Sequence, residues 1–177
     1  LYGLFSKQMI KELKNMRFFV VGCGALGCEY LKLLSLLDCA TDKGSIDVID
    51  MDNIELSNLN RQFLFSESDI GLYKSETAVQ KIKSMKSDIS IFSHNEKLDP
   101  NNEDKFSRTF WNDRDIVINA LDNVEARKYV DSQCVLYDKP LFEAGTLGTK
   151  CNLQIIKPYE TACYSESVDP VNEEIPY

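Results

Sequence analysis

Short runs that are apolar at every position alternate along the chain with longer stretches whose apolar residues return every three or four positions. Runs of the first kind are strands buried on both faces, and stretches of the second kind are helices packed along one side. This pattern predicts a helix over 5–16, a strand over 17–21, a helix over 25–37 and a strand over 46–50. A polar stretch with little periodicity follows over 51–73, interrupted by Phe63-Leu64-Phe65. Next come a helix over 74–86 opened by Ser75, a strand over 89–92, a helical segment over 99–111 and a buried strand over 115–120. A helix over 124–136 leads to strands over 140–144 and 152–157, separated by Gly145-Thr146-Leu147-Gly148. That separation is too short for a crossover helix, so the last pair is expected to be antiparallel. The fold class is therefore α/β, doubly wound, with a mainly parallel Rossmann-like sheet and a late antiparallel pair. Residues 158–177 are polar, aromatic and proline-punctuated, and read as an extended loop.

The chain has 177 residues, 44% of them hydrophobic, enough for one domain with its own core. No apolar run is long enough for a membrane span. The formal net charge of −8 argues against a broad nucleic-acid footprint and favours a partner with a basic contact surface. Cys23, Cys28, Cys39, Cys134, Cys151 and Cys163 contain no C-x-x-C pair, so a complete zinc site is not expected. The first four sit in apolar or glycine-turn surroundings and read as free thiols, which fits a reducing cytoplasm or nucleus. Leu1 and the residues after it read as the start of a piece of a longer protein.

Candidate chemistry gathers where strands end. Gly22, Gly24 and Gly27 form a glycine turn between a strand and a helix, where backbone can approach a phosphate and the helix N-terminus favours negative charge. Asp50 follows about twenty residues later, where a carboxylate accepts ribose hydroxyls, and Asp52 comes two positions on. A nicotinamide-dependent dehydrogenase shares the pattern up to this point. The polar stretch separates the two readings: Asn58 and Arg61 can share one side of a helical turn, with Lys74 at the opening of the next helix. An Asn/Arg/Lys set suits the β and γ phosphates of ATP, and guanidinium binds phosphate in a bidentate way. Asp122 ends the strand over 115–120 and has two readings, a Mg²⁺ ligand or half of a capping box with Glu125. His94 reads as a solvated surface residue, and Trp111 as packing against the sheet.

Gly22-Cys23-Gly24-Ala25-Leu26-Gly27-Cys28-Glu29, Asp50-Met51-Asp52, Ser57 to Phe65, Asn119 to Asn123 and Gly145 to Lys150 together closely resemble the active adenylation domain of ubiquitin-activating enzymes, in the ThiF/MoeB-like superfamily. The resemblance covers nearly the whole chain. It implies an ATP site in which Gly22, Gly24, Ala25, Gly27, Asp50, Asp52, Asn58, Arg61, Gln62, Lys74, Asp122 and Asn123 contact the nucleotide. Arg61, Lys74 and Asp122 carry the catalytic roles, and Asp122 holds Mg²⁺. It also implies adenylation of the C-terminal carboxylate of ubiquitin, then transfer to a cysteine that this chain lacks. Relatives serving other modifiers commonly carry a zinc-binding C-x-x-C near 161–166; here Cys163 has no second cysteine at Glu166, which favours ubiquitin. Asp169-Pro170 and Glu174-Ile175-Pro176 resemble the crossover segment of the ubiquitin type.

On this resemblance, residues 1–157 are the ATP-binding domain and 158–177 begin a crossover loop toward an absent cysteine domain. Ubiquitin-conjugating enzymes would be met through parts outside the chain, and an inactive adenylation half of the same parent would cover an apolar face. The chain alone is expected to bind nucleotide weakly and to form no ubiquitin thioester. The alternatives are an activating enzyme for another ubiquitin-like modifier, a nicotinamide-dependent dehydrogenase, and a catalytically silent partner half.

Overall fold

A computed structural model of the chain describes residue 3, residues 5–147 and residues 149–167. Strands β1 (Arg17–Val21), β2 (Ser45–Ile49), β3 (Ile91–His94), β4 (Ile116–Asn119), β5 (Leu141–Leu147) and β6 (Lys150–Ile156) form one sheet in the order β3-β2-β1-β4-β5-β6. β1 to β5 run parallel and β6 returns antiparallel along β5, from Leu141↔Ile156 to Leu147↔Lys150. This is the doubly wound order with its switch point between β1 and β4, and it bears out the expected fold class and the late antiparallel pair. Gly148, within the run compared with ubiquitin-activating enzymes, and the segments around Asp169-Pro170 and Glu174-Ile175-Pro176 lie outside the described residues.

The helices are α1 (Lys7–Asn15), α2 (Ala25–Leu36), α3 (Lys74–Met85), α4 (Arg108–Asn112), α5 (Val124–Leu136) and α6 (Tyr164–Ser167). They divide the core into two layers because strand side chains alternate. Phe18, Val20, Ile46, Val48 and Ile118 pack under Leu31 and Leu34 of α2 and Ala78 and Ile82 of α3. Phe19, Val21, Ile49, Val117, Leu141 and Ile156 face Phe106, Trp111, Val130 and Cys134 on the other side. Trp111 packs there as expected, edge-on to Phe19 with ring centroids 5.5 Å apart and stacked on Tyr137 at 5.6 Å. Among the described residues no helix is long and apolar enough to cross a membrane.

Several elements depart from the sequence-based expectation. The strand expected over 89–92 is shifted to Ile91–His94, so that Ile91 pairs with Ile46 and His94 with Ile49. His94 is consequently a half-buried strand residue, with Nε2 2.7 Å from Asp47 Oδ1 and its ring edge-on to Phe106. The helical segment expected over 99–111 is two pieces, a 3₁₀ turn at Pro100–Asn102 and the short α4. Ser75 does not open α3: Tyr73 holds the N-cap position, and the Ser75 hydroxyl donates to the Asp50 carbonyl (2.9 Å) instead. Within 158–167 the chain is not an extended loop, because it turns and enters α6.

One buried charge cluster ties the second layer together. Asp47 projects from β2 into the aromatic layer, 2.5 Å from Arg114 Nη1, and the Arg114 guanidinium lies 4.3 Å from the Phe110 ring centroid. Both side chains are buried. Removing one member leaves the other charged and desolvated, so Asp47→Ala should cost about 3–5 kcal/mol. Urea unfolding should show that loss, and His94→Ala should cost clearly less because the Asp47–Arg114 pair survives. Equal losses for the two variants would show that the pair does not dominate this layer.

Candidate functional site

The carboxyl ends of β1, β2, β3, β4 and β5 open on one edge of the sheet, where a cavity of about 640 Å³ lies. The turn after β1 forms its floor. Gly22 has φ +97°, its N–H donates to the Ile49 carbonyl (2.9 Å), and a Cβ there would lie 2.7 Å from the Ala120 carbonyl oxygen. Only glycine fits. At Gly27 a Cβ would lie 2.2 Å from the Gly22 carbonyl oxygen, so the missing side chain lets α2 start directly against the turn. Gly24 is the N-cap of α2 and supplies no side-chain cap. A Cβ on Gly24 would meet nothing closer than Gln62 Nε2 at 3.9 Å. Gly24 and Ala25 line the cavity, so the helix N-terminus faces a space suited to an anion.

Asp50 sits just past β2 and clamps the turn. Its Oδ2 accepts the Cys23 N–H at 2.7 Å and its Oδ1 accepts the Asp52 N–H at 2.8 Å. Burial pushes its carboxyl pKa up, against the two amide hydrogen bonds. Each oxygen keeps a further lone pair for a ligand hydroxyl. Asp52 pairs with Lys74, Nζ to Oδ2 2.8 Å, and the Lys74 N–H donates to the Asp52 carbonyl at 2.9 Å. Both residues line the cavity.

Beyond Met51 and Asp52, the polar stretch supplies two further cavity residues and one support. Arg61 is exposed and held by neutral acceptors, Nη1 lying 2.9 Å from the Ser57 carbonyl and 3.1 Å from Asn60 Oδ1. Among the described residues it makes no ion pair. Gln62 is buried, lines the cavity, and its Oε1 has no hydrogen-bond partner among the described residues. Asn58 lies off the cavity: its Oδ1 accepts the Glu55 N–H (3.0 Å) and its carbonyl accepts the Arg61 and Gln62 N–H groups. Asn58 thus shapes the turn that presents Arg61 and Gln62.

Asp122 and Asn123 follow β4 and line the opposite wall. The capping-box reading of Asp122 with Glu125 is overturned. Asn123 is the N-cap of α5, its Oδ1 accepting the Ala126 N–H at 2.8 Å, which leaves the exposed Asp122 facing the cavity without that role. The lining fits a nucleoside triphosphate with its magnesium: the uncapped helix N-terminus, Arg61 and Lys74 suit phosphates, Asp50 suits hydroxyls and Asp122 suits the metal. Among the described residues no three His, Cys, Asp or Glu side chains cluster as a metal site. A magnesium ion here would therefore be held by Asp122 together with phosphate oxygens, the usual arrangement for this ion.

Sequence reasoning missed a cluster in this wall, whose members Arg127 and Glu143 also line the cavity. Glu143 projects from β5, and its Oε2 accepts Asn119 Nδ2 at 2.6 Å. Its Oε1 lies 2.9 Å from Arg127 Nη1, a contact too poorly angled for a good hydrogen bond. The signal was present: Glu143 is the one charge in an otherwise apolar strand, and Arg127 lies one helical turn beyond Asn123. The far end of the cavity is lined by Gln154, Tyr164 and Ser167. Asp131 of α5 anchors that end, its carboxylate accepting the Tyr164 and Ser165 N–H groups at 3.0 and 3.1 Å. At the position compared with a zinc C-x-x-C, Glu166 Oε2 accepts the Cys163 N–H at 3.1 Å.

Burial pushes the Glu143 carboxyl up to about 7, outweighing the opposing pull of Arg127 and Asn119. The folded state then holds a proton that the unfolded chain releases near 4.5, so this group favours folding below that pH and the contribution is lost as pH rises through 7. Glu143→Gln should flatten that slope. Between pH 5 and 7.5 the parent should lose on the order of 2–3 kcal/mol more stability than the variant. Parallel slopes in urea unfolding would show that Glu143 is ionised throughout.

Comparison with known proteins fits this geometry. The chain is 48% identical over 173 residues to ubiquitin-like modifier-activating enzyme 1 of Dictyostelium discoideum, covering 97% of this chain and 17% of that protein. It is 47% identical over 177 residues to ubiquitin-activating enzyme E1 1 of Candida albicans, with 98% and 17% covered. The human ubiquitin-like modifier-activating enzyme 1 is 44% identical over 175 residues, with 98% and 16% covered. The chain thus spans about a sixth of the length of these curated relatives. With its strand order, its glycine turn and a family match over residues 1–176, the chain belongs to the ThiF family.

Proposed function

We propose that this chain is the ATP-binding domain of an enzyme that adenylates the C-terminal carboxylate of ubiquitin. The carrying observation is that the N-terminus of α2, Arg61, Lys74 and Asp122 converge on one cavity with Asp50 at its floor. A dinucleotide would engage the glycine turn and Asp50 but leave Arg61 and Asp122 without tasks. The names of the similar proteins support the activating-enzyme reading, and the absence of a second cysteine at Glu166 supports ubiquitin as the modifier.

In this reading Asp50 accepts the ribose hydroxyls, and the N-terminus of α2 faces the phosphates. Arg61 and Lys74 offset charge that develops on the phosphates as an incoming carboxylate oxygen bonds to the α-phosphorus and the bond to pyrophosphate breaks. Asp122 would hold magnesium, which would supply neutralisation of phosphate charge. The products are an acyl-adenylate and pyrophosphate. The later thioester step is assigned to a cysteine outside this chain: Cys23, Cys28, Cys39 and Cys134 are buried, and the exposed Cys151 and half-buried Cys163 do not match the Cys-Thr-Leu run that the resemblance implies for the nucleophile. Residues 158–177 would begin the connection toward that cysteine. Ubiquitin-conjugating enzymes would dock on other parts of the longer protein.

Leu153 and Ile155 lie exposed on one face of β6, at 57% and 59%, and Leu33 and Leu36 are exposed on α2. An inactive adenylation half of the same longer protein is proposed to cover this apolar face. The free thiols suit a reducing cytoplasm or nucleus.

Arg61→Ala should remove charge-assisted hydrogen bonds worth roughly 1.5–3 kcal/mol of ATP affinity. Calorimetry on the protein and the variant checks this, with NAD as the control ligand; unchanged ATP affinity would reject Arg61 as a phosphate ligand. Asp122→Asn should sharply lower magnesium-dependent pyrophosphate–ATP exchange in the longer protein. Thermal stability should hardly move, because Asn123 still caps α5. Unchanged exchange would remove Asp122 from the site.

A further inference from the structure

We propose that Arg127 is a positioning residue that sets the direction of Asp122, with Gly145 keeping the space it needs. The inference rests on the adenylation reading and adds a residue to it. Among the described residues Asp122 has no hydrogen bond or ion pair of its own, so its aim depends on the backbone of the loop over 120–123. Arg127 grips that loop: its Nε and Nη2 both donate to the Leu121 carbonyl, at 3.0 and 2.5 Å. That carbonyl belongs to the peptide plane leading directly into Asp122.

The guanidinium is itself held from below. Nη1 lies 2.9 Å from Glu143 Oε1, and Glu143 Oε2 accepts Asn119 Nδ2, so Arg127 and Glu143 together link the end of β4, the loop, α5 and β5. Gly145 lies beside it on β5. A Cβ there would sit 2.7 Å from Arg127 Nη1 and 3.0 Å from Nη2. The strand therefore has a side-chain gap where the guanidinium passes. A rigid planar fork can donate twice to one carbonyl and meet a carboxylate at once, whereas an ammonium is a compact point charge without that fixed geometry.

Two substitutions break the grip from opposite sides. Arg127→Lys keeps the charge but loses the double donation to the Leu121 carbonyl. Gly145→Ala leaves Arg127 and Glu143 in place and pushes the guanidinium aside, a displacement that a long side chain tolerates without unfolding the strand. The experiment uses the full-length protein with a non-hydrolysable ATP analogue and follows Mn²⁺ binding by electron paramagnetic resonance. Both variants should weaken Mn²⁺ about tenfold while analogue affinity without metal stays within about twofold, the pattern for outer groups that orient a ligand. Asp122→Asn should weaken Mn²⁺ at least as much, and Arg127→Lys added to it should cost nothing further.

If Asp122→Asn loses the metal but both variants keep it, the adenylation site stands and the positioning role falls. If Asp122→Asn itself keeps the metal, the magnesium reading of Asp122 fails and takes the positioning role with it. A full additional loss in the double variant would show that Arg127 acts independently of Asp122, which also overturns the proposal.

Discussion

Everything at the carboxyl edge of the sheet depends on how closely three backbones meet at Gly22. Its N–H donates to the Ile49 carbonyl, the Ala120 N–H donates to the Val21 carbonyl at 2.8 Å, and no Cβ fits between it and Ala120. The turns after β1 and β4 can therefore share one wall at the switch point, and β2 ends within reach of both. A side chain at this position would wedge β1 from β4. The cavity would then open where α2 meets the loop over 120–123. Asp50 completes the arrangement by tying the Cys23 amide to the start of the polar stretch. A single carboxylate thus fixes the turn and still offers lone pairs to a ligand.

The site is preorganised by side chains whose hydrogen bonds stay within the protein. Asn58 shapes the turn behind Arg61 and Gln62, Ser75 fastens the first turn of α3 to the Asp50 carbonyl, and Asn123 caps α5 next to Asp122. These bonds satisfy backbone groups that would otherwise be left unpaired at element ends. Their cost in ordering is met before any ligand arrives, which lets charged groups act without reorganising. Gln62 Oε1 is one of several buried acceptors with no partner among the described residues, and such an atom on the cavity wall marks where a hydrogen-bond donor is expected.

Much of this was legible in the residues. The strand Arg17–Val21 and the helix Val124–Leu136 matched their expected bounds, because a fully apolar run and an uninterrupted helical period each have one good solution. The hairpin of β5 and β6 was legible from connection length alone, although both strands run further into the glycine segment than their composition suggests. Failures came where tertiary contacts override local pattern. Ile89 is as apolar as Ile91, yet pairing with Ile46 moved the strand by two residues and brought His94 to Asp47. The segment over 99–111 reads as helical throughout, but it folds as a 3₁₀ turn at Pro100–Asn102 and a separate α4 that starts after Ser107. At the site, motif residues stood out, while Arg127 and Glu143 stayed hidden because their partner across the fold is invisible to any local window.

The overall charge of −8 is a poor guide to the potential inside the cavity. Charges farther away than about 8–10 Å are largely screened at ordinary salt, so the groups along the walls decide it. Lys74 is already matched by Asp52 at 2.8 Å, and most of its field is spent within that pair. Arg61 rests on neutral oxygens and keeps its full charge for an incoming anion. Asp50 and Asp122 oppose a bare polyphosphate from two sides. In the proposed reading such a balance would favour an anion whose charge is partly neutralised by its metal over the bare anion. A preference of the proposed site for a metal-bound triphosphate would then come from Asp50 and Asp122 as much as from Arg61 and Lys74.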